Sequence, residues 1–257
     1  MAPWNPDSYL TFKKERFAPF EDILPLIRVR PWMKVVDLGC GTGELTRRLA
    51  DRLPDSDVVG IDTSEEMLVE ARAFERPGLR FERRDLRDLE GEWDLIFSHA
   101  TIHWVEDHHT LIRELFSRTA PEGQLALQFP SNHHHAAHKL VLETASEEPF
   151  KTALGGWKWV YPLLPVAAYA EILYEAGAED LRVFEKVYPH VMDSADALAA
   201  WLAGTTLVPY LERMDDVTKE YFMQVFRSKL RRLWPSGPLF YPFRRIFVSA
   251  VKPEVIS

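Results

Sequence analysis

Lys34-Val35-Val36-Asp37-Leu38-Gly39-Cys40-Gly41-Thr42-Gly43-Glu44 fixes the architecture expected of this chain. Five residues of β-strand character run into a loop with glycine at every second position, and a helical pattern begins at Glu44 and continues to about residue 53. Glycine adopts left-handed backbone at no steric cost and lets the main chain approach a ligand closely. A strand, a glycine-rich turn and a helix in that order therefore predict a nucleotide-type site at the edge of a wound sheet. The same alternation continues on the carboxyl side. Strands are expected over 58–62, 79–83, 93–98 and 124–129, with a helix opened by Ser64, Glu65 and Glu66 in its first turn and another helix over 109–119. Short strands alternating with helices predict a parallel sheet joined by right-handed crossovers.

Beyond Phe129 the alternation breaks. Helical stretches over 136–147, 166–176, 195–203 and 217–233 are joined by segments rich in Pro, Trp and Tyr, and 181–188 and 245–251 read as the last two strands. The expected fold is α/β: a doubly wound, seven-stranded, mostly parallel sheet with a helical cap insertion. Residues 1–30 form an N-terminal helical lid, 31–130 the core, 131–240 the cap with one strand near 181–188, and 241–257 the last strand and tail. A chain of 257 residues with 46% hydrophobic content suits one such domain. No apolar run reaches the roughly 18–20 residues of a membrane helix, and the opening MAPWNPDSYLTF lacks a basic segment followed by an apolar one, so a cytoplasmic protein is expected. The single cysteine, Cys40, excludes an intrachain disulfide and reads as a small loop residue. A formal charge of -8 argues against nucleic acid, which demands many Lys and Arg contacts to phosphate, and for a small-molecule partner. The arginine-rich stretches 80–87 and 227–232 carry interleaved acidic or apolar residues and read as solvated faces.

The ligand of the glycine loop is argued from Glu44. A dinucleotide fingerprint wants a small residue three positions after its second glycine, where the helix start faces pyrophosphate; a carboxylate there would repel it. S-adenosylmethionine (SAM) has a sulfonium and an amine and no phosphate, so it suits the loop better, with S-adenosylhomocysteine (SAH) as the product. Gly39, Cys40 and Gly41 would supply the loop backbone. Asp37 can attract the amine, and Asp62, 19 residues after Gly43, can accept both ribose hydroxyls. Asp85 lies where an adenine amino group could be reached, with Leu86 as an apolar ring contact. Asp37 and Asp85 equally suit turn caps.

These residues resemble the class I SAM-dependent methyltransferases, over residues 35–129. More narrowly the chain is similar, nearly end to end, to the trans-aconitate methyltransferase family. The narrower likeness rests on Trp4-Asn5-Pro6-Asp7-Ser8-Tyr9-Leu10, on Gly60-Ile61-Asp62-Thr63-Ser64 followed by Met67, and on Asp94-Leu95-Ile96-Phe97-Ser98-His99-Ala100. It continues in Trp104 with Asp107-His108, in Glu175-Ala176-Gly177 and in Phe243-Arg244-Arg245-Ile246-Phe247-Val248. The resemblance adds Thr63, Met67 and His99 to the expected cofactor lining. It implies methyl transfer from SAM to one carboxylate of a small polycarboxylic acid such as trans-aconitate, giving a monomethyl ester. The chain departs from the family pattern at His103, where the family carries Gln, and at His133-His134-His135.

Ligands of open α/β sheets bind beyond the carboxyl ends of the strands, which directs attention to the segment from His99 to Trp104. His103 and Trp104 are the catalytic candidates. Trp104 can wall the site, and His103 can donate to a substrate carboxylate or remove a proton from a hydroxyl. A carboxylate acceptor is already ionised at neutral pH and needs alignment and desolvation rather than a base. Arg245 and Arg244 are the candidates for holding substrate carboxylates, Trp4 and Tyr9 for a lid over them, and His133 for a further substrate contact. His134 and His138 stand one helical turn apart, but no carboxylate stands at ligand spacing, so no metal is expected. Two rivals stay open: a methyltransferase of another small acid or a phenol, with His103 as base, and a non-catalytic SAM-binding protein.

Overall fold

The computed structural model describes residues 13–254. Seven strands, β1 (Lys34–Leu38), β2 (Asp57–Asp62), β3 (Leu79–Arg83), β4 (Trp93–His99), β5 (Thr119–Pro130), β6 (Glu179–Met192) and β7 (Leu239–Val251), form one sheet in the order β3-β2-β1-β4-β5-β7-β6. The pairs β1–β2, β2–β3, β1–β4 and β4–β5 are parallel, whereas β7 runs antiparallel to β5. Strands covered on both faces carry near-continuous rather than alternating apolar runs; β1, from Val35 to Leu38, and β4, from Leu95 to Ser98, are buried without interruption, with Asp37 and Ser98 as the polar exceptions at the site end.

Ten helices accompany the sheet among the described residues: α1 (Lys13–Ile23), α2 (Glu44–Ala50), α3 (Glu65–Ala71), α4 (His108–Ser117), α5 (Ala136–Ala145), α6 (Phe150–Ala153), α7 (Val166–Glu175), α8 (Ala195–Ala203), α9 (Val208–Leu211) and α10 (Asp216–Leu233). Four of their starts are set by short polar side chains that satisfy otherwise orphaned backbone donors. Ser64 accepts from Met67 N, Asp107 from Thr110 N, Ser194 from Ala197 N and Asp215 from Thr218 N.

The chain divides into two compact units. The larger comprises 16–130, 162–186 and the residues from Arg245 onward; the smaller includes 131–161 and 187–244. In the larger unit α4 and α7 bury Leu111, Ile112, Leu115 and Phe116, and Tyr169, Ile172 and Leu173, in one core with Val36, Ile96, Leu125, Leu127 and Val248. In the smaller, α10 buries Phe222, Phe226 and Leu230 against α8 and α5. Among the described residues no helix is long and apolar enough to cross a membrane.

The elements differ from expectation in three ways. Residues 131–240 are not one insertion, because the apolar face of α7 joins the core of the sheet unit and carries 162–186 with it. The helix expected to reach residue 119 stops at Ser117, since Thr119 pairs with Trp93 and already belongs to β5. Strands β6 and β7 run through Pro189 and Pro242, beyond the expected 181–188 and 245–251. Proline argues against a central strand, but β6 lies at the sheet edge and Pro242 lies outside the β5–β7 ladder, which begins at Arg245.

Candidate active site

Strand order reverses beside β1, so the carboxyl ends of β1 and β4 open a crevice in the larger unit. Ser98 Oγ donates to Leu38 O (2.9 Å) and Thr101 Oγ1 to Gly39 O (3.1 Å), tying the two strand ends together. The loop glycines have separate reasons to be glycine. Gly39, at φ 75°, would place a Cβ 2.2 Å from the Thr101 side chain, and Gly43, at φ 76°, would place one 2.8 Å from Ala71 and Phe81. Gly41, at φ 54°, would meet nothing within 4 Å, so the loop there faces open space. The N–H groups of Gly39 and Cys40 donate to Ile61 O, and those of Gly41 and Ser64 donate to separate oxygens of Asp62 (2.9 and 3.0 Å). Asp62 thus braces the loop and keeps a free lone pair on each oxygen for further donors.

Asp37 is 3% exposed and accepts a 2.6 Å hydrogen bond from Thr46 Oγ1. Burial pushes its carboxyl up to about 7; the Thr46 bond opposes this and the Asp62 charge adds to it. Neither Asp37 nor Asp62 has an ion-pair partner among the described residues, so the crevice favours a cation. Glu44 opens α2 with its carboxylate near Arg48 (3.4 Å), in the first turn where a dinucleotide phosphate would sit. An open cradle at Gly41, two acids without an ion-pair partner among the described residues and an acidic helix start fit SAM and disfavour pyrophosphate. Cys40 is buried, and burial drives its thiol far upward, leaving it an unreactive packing residue.

The other expected cofactor residues vary in their setting. Leu86 is buried, Met67 half-buried on the first turn of α3, and Thr63 exposed. Asp85 caps the turn that follows β3: it accepts from Arg87 N (2.9 Å) and pairs with the Arg87 guanidinium (2.5 Å), which holds its carboxyl below the usual range. The turn-cap reading thus accounts for its geometry.

Beside this crevice, His99, Gln128 and Arg245 share one face of the sheet. His99 pairs with Gln128 across β4 and β5, and Gln128 sits opposite Phe247, two residues along β7 from Arg245. Because β7 is antiparallel, its Arg245 falls at the carboxyl ends of β4 and β5. Arg245 is 4% exposed. With the Gln128 amide turned so that both ends are satisfied, its nitrogen donates to His99 Nε2 (3.0 Å) and its oxygen accepts from Arg245 Nη1 and Phe129 N (3.1 Å each). Sequence reasoning missed Gln128, although an amide within an apolar strand was a signal.

His103 lies in the 3-10 turn Ile102–Trp104, with the Trp104 ring tilted 41° against it at 4.7 Å. Its Nδ1 is buried without a hydrogen-bond partner among the described residues. Burial first, then the nearby Arg245 guanidinium and His108, push it down to about 3, so it is a neutral imidazole and a weak base. That runs against its expected use as a base toward a hydroxyl. Trp104 is 42% exposed, so it is not a core tryptophan. The turn itself is held by His108, which the family likeness included without a role. His108 Nε2 donates to Ile102 O (2.9 Å), its Nδ1 accepts from Tyr169 OH (2.6 Å), and Tyr169 accepts from Leu164 N (3.1 Å).

In the smaller unit the histidines are absorbed by packing. His135 caps α5, accepting from Ala137 N (3.2 Å), and stacks on Trp234. His138 is buried between Tyr241 OH (3.0 Å) and Tyr161 OH (3.4 Å). His134 lies in the 3-10 turn Asn132–His134, outside α5, so His134 and His138 do not form the helical i, i+4 pair read from the sequence. His133 stacks on Tyr161. Among the described residues no group of three or more His, Cys, Asp or Glu is placed to hold a metal. Arg244 is exposed and lines a cavity of about 270 Å³ with Ser131, Asn132, His134 and His135. Successive strand residues project to opposite faces, so Arg244 does not share the surroundings of Arg245, contrary to their expected pairing on one substrate. Trp4 and Tyr9 lie outside the described residues.

A methyltransferase-domain family model matches residues 35–123. Trans-aconitate 2-methyltransferase of Deinococcus radiodurans is 45% identical, covering 98% of this chain and 99% of that protein; those of Delftia acidovorans (36%; 97% and 98%) and Escherichia coli (34%; 99% and 100%) are also similar. The chain belongs to the trans-aconitate 2-methyltransferase family. As a member it is a SAM-dependent methyltransferase of the class I, Rossmann-like kind. Solved structures agree on the fold. The Bacillus subtilis YcgJ protein matches with a TM-score of 0.60 at 13% identity, covering 93% of this chain and 99% of its own. Phosphoethanolamine N-methyltransferase 2 of Haemonchus contortus, solved with SAM, matches with a TM-score of 0.55 at 18% identity over 94% of this chain, which spans about half (53%) of that enzyme's length.

Proposed function

We propose that this methyltransferase acts on trans-aconitate, converting one carboxylate to its methyl ester, and that SAM is held at the loop Gly39-Cys40-Gly41 by Asp37, Asp62, Thr63, Met67, Leu86 and His99. The observation that carries the reading is the buried Arg245, set beside a neutral His103 at the carboxyl ends of the strands. A polyanionic acid needs a fixed, bidentate cation, and a guanidinium on a strand supplies one. The names of relatives at 34–45% identity support the particular acid.

SAM supplies a methyl group made electrophilic by its sulfonium. The protein's part is positioning. Asp37 and Asp62 favour the cationic amine and the ribose, Arg245 takes a carboxylate remote from the reacting one, and the imidazole of His103 offers an uncharged donor. No group has to remove a proton, because a carboxylate with pKa near 4 attacks as the anion. A phenol would require a base, and a histidine near 3 falls about 7 pKa units short of a phenol near 10. The buried thiol of Cys40 suits the reducing cytoplasm, which we include in the proposal. Incubation with methyl-labelled SAM and trans-aconitate tests the reading. A base-labile methyl ester of the acid is expected; label transfer to phenols in the same panel, with none to trans-aconitate, would refute it.

A further inference from the structure

Gln128 is wholly buried in β5, and its amide spans the two halves of the site. In the orientation that satisfies both ends, its NH2 donates to His99 Nε2 at 3.0 Å and its carbonyl accepts from Arg245 Nη1 at 3.1 Å and from Phe129 N at 3.1 Å. Two consequences follow from donor and acceptor counting. An imidazole nitrogen that accepts carries no proton, so the amide keeps His99 neutral with its proton on Nδ1. A guanidinium that donates to a fixed carbonyl loses rotational freedom, so its plane is oriented before any acid arrives. A carboxylate in place of the amide could accept from both neighbours but donate to neither. It would neutralise Arg245 and force a proton onto His99 Nε2.

We propose that Gln128 is a positioning residue for methyl transfer: one amide sets the Arg245 fork for the acid and the Nδ1–H form of His99 at the cofactor crevice. The role in acid binding rests on the proposed function; the effect on His99 does not. Gln128→Leu removes both contacts, and Gln128→Glu is a near-isosteric replacement that reverses the donor.

The test pairs kinetics with imidazole 15N shifts, the His99 signals being assigned by their loss in His99→Gln. In the parent protein His99 should show a protonated Nδ1 and a bare Nε2, and in Gln128→Glu a protonated Nε2. Calorimetric SAH affinity should stay within about threefold in Gln128→Leu, where His99 can keep its Nδ1 proton, and weaken in Gln128→Glu, where the proton is forced onto Nε2. KM for trans-aconitate should rise on the order of tenfold in Gln128→Leu and about a hundredfold in Gln128→Glu, with smaller changes in kcat. An Nε2-protonated His99 in the parent, or folded variants with lowered Tm but unchanged KM, would overturn the proposal. If the parent does not turn over trans-aconitate, the substrate assignment fails alone and the His99 signature still decides the role of Gln128.

Discussion

Arg245 and Asp37 carry the sharpest expectations for single side chains, because both are charged groups taken out of water for a reason that binding should reveal. Arg245→Lys keeps the charge and loses the planar fork. The loss of one charge-assisted contact, about 1.5–3 kcal/mol, should lower kcat/KM for the acid roughly tenfold to a hundredfold while SAH binding is unchanged. The burial of Asp37 couples stability to pH. Its folded pKa of about 7 lies above the ordinary 3.8, so between these values the folded chain holds more protons than the unfolded one, and stability falls as pH rises through about 7. Asp37→Asn should therefore stabilise the cofactor-free protein at pH 8, by no more than about 4 kcal/mol, and do little at pH 4. Denaturant titration at the two pH values checks this. The cationic amine of SAM would draw the same carboxyl back down, so SAM binding should strengthen from pH 6 to 8 and release protons. Calorimetry in buffers of differing ionisation enthalpy measures that release, and pH-independent affinity would remove Asp37 from the site.

The glycine turn and the turn after β4 show what was legible in the sequence and what was not. The loop was readable because its backbone demands are local: a strand, three glycines and a helix start specify the turn without reference to distant chain. The reasons for the glycines were not readable, since Thr101, Ala71 and Phe81 reach them only through the fold. Gly39→Ala, which drives a Cβ into Thr101 and strains a positive φ, should cost about 2–5 kcal/mol. Gly41→Ala meets open space and should cost only about 1–2 kcal/mol, yet weaken SAM binding more than stability. Urea titration and SAH calorimetry on the pair separate the two effects. The roles of His108 and Gln128 escaped notice for the same reason: each depends on a partner far along the chain, Tyr169 on α7 for His108, and His99 on β4 and Arg245 on β7 for Gln128. His108→Phe removes the acceptor of the buried Tyr169 OH and one of the two donors to Ile102 O. It should destabilise by about 2–4 kcal/mol and reduce kcat by loosening the turn that carries His103 and Trp104, as thermal unfolding and steady-state kinetics would show.

For the molecule as a whole, the alternating first half of the chain specified a wound, mostly parallel sheet with its ligand beyond the strand ends, whereas the prolines at 189 and 242 concealed how far the last two strands extend. Arg245 could be singled out from its place in the closing segment. That its neighbour Arg244 projects from the other face emerged only once β7 was seen to run through residue 244. What the assembled site implies is methyl transfer to an anion without a titrating base. The single-turnover rate of methyl transfer to trans-aconitate, at saturating SAM and acid, reads this step in isolation. It should stay nearly flat from about pH 6 to 9, since the acceptor is already ionised and His103 remains neutral throughout. A steep rise with an apparent pKa near 7 that disappears in His103→Ala would contradict it.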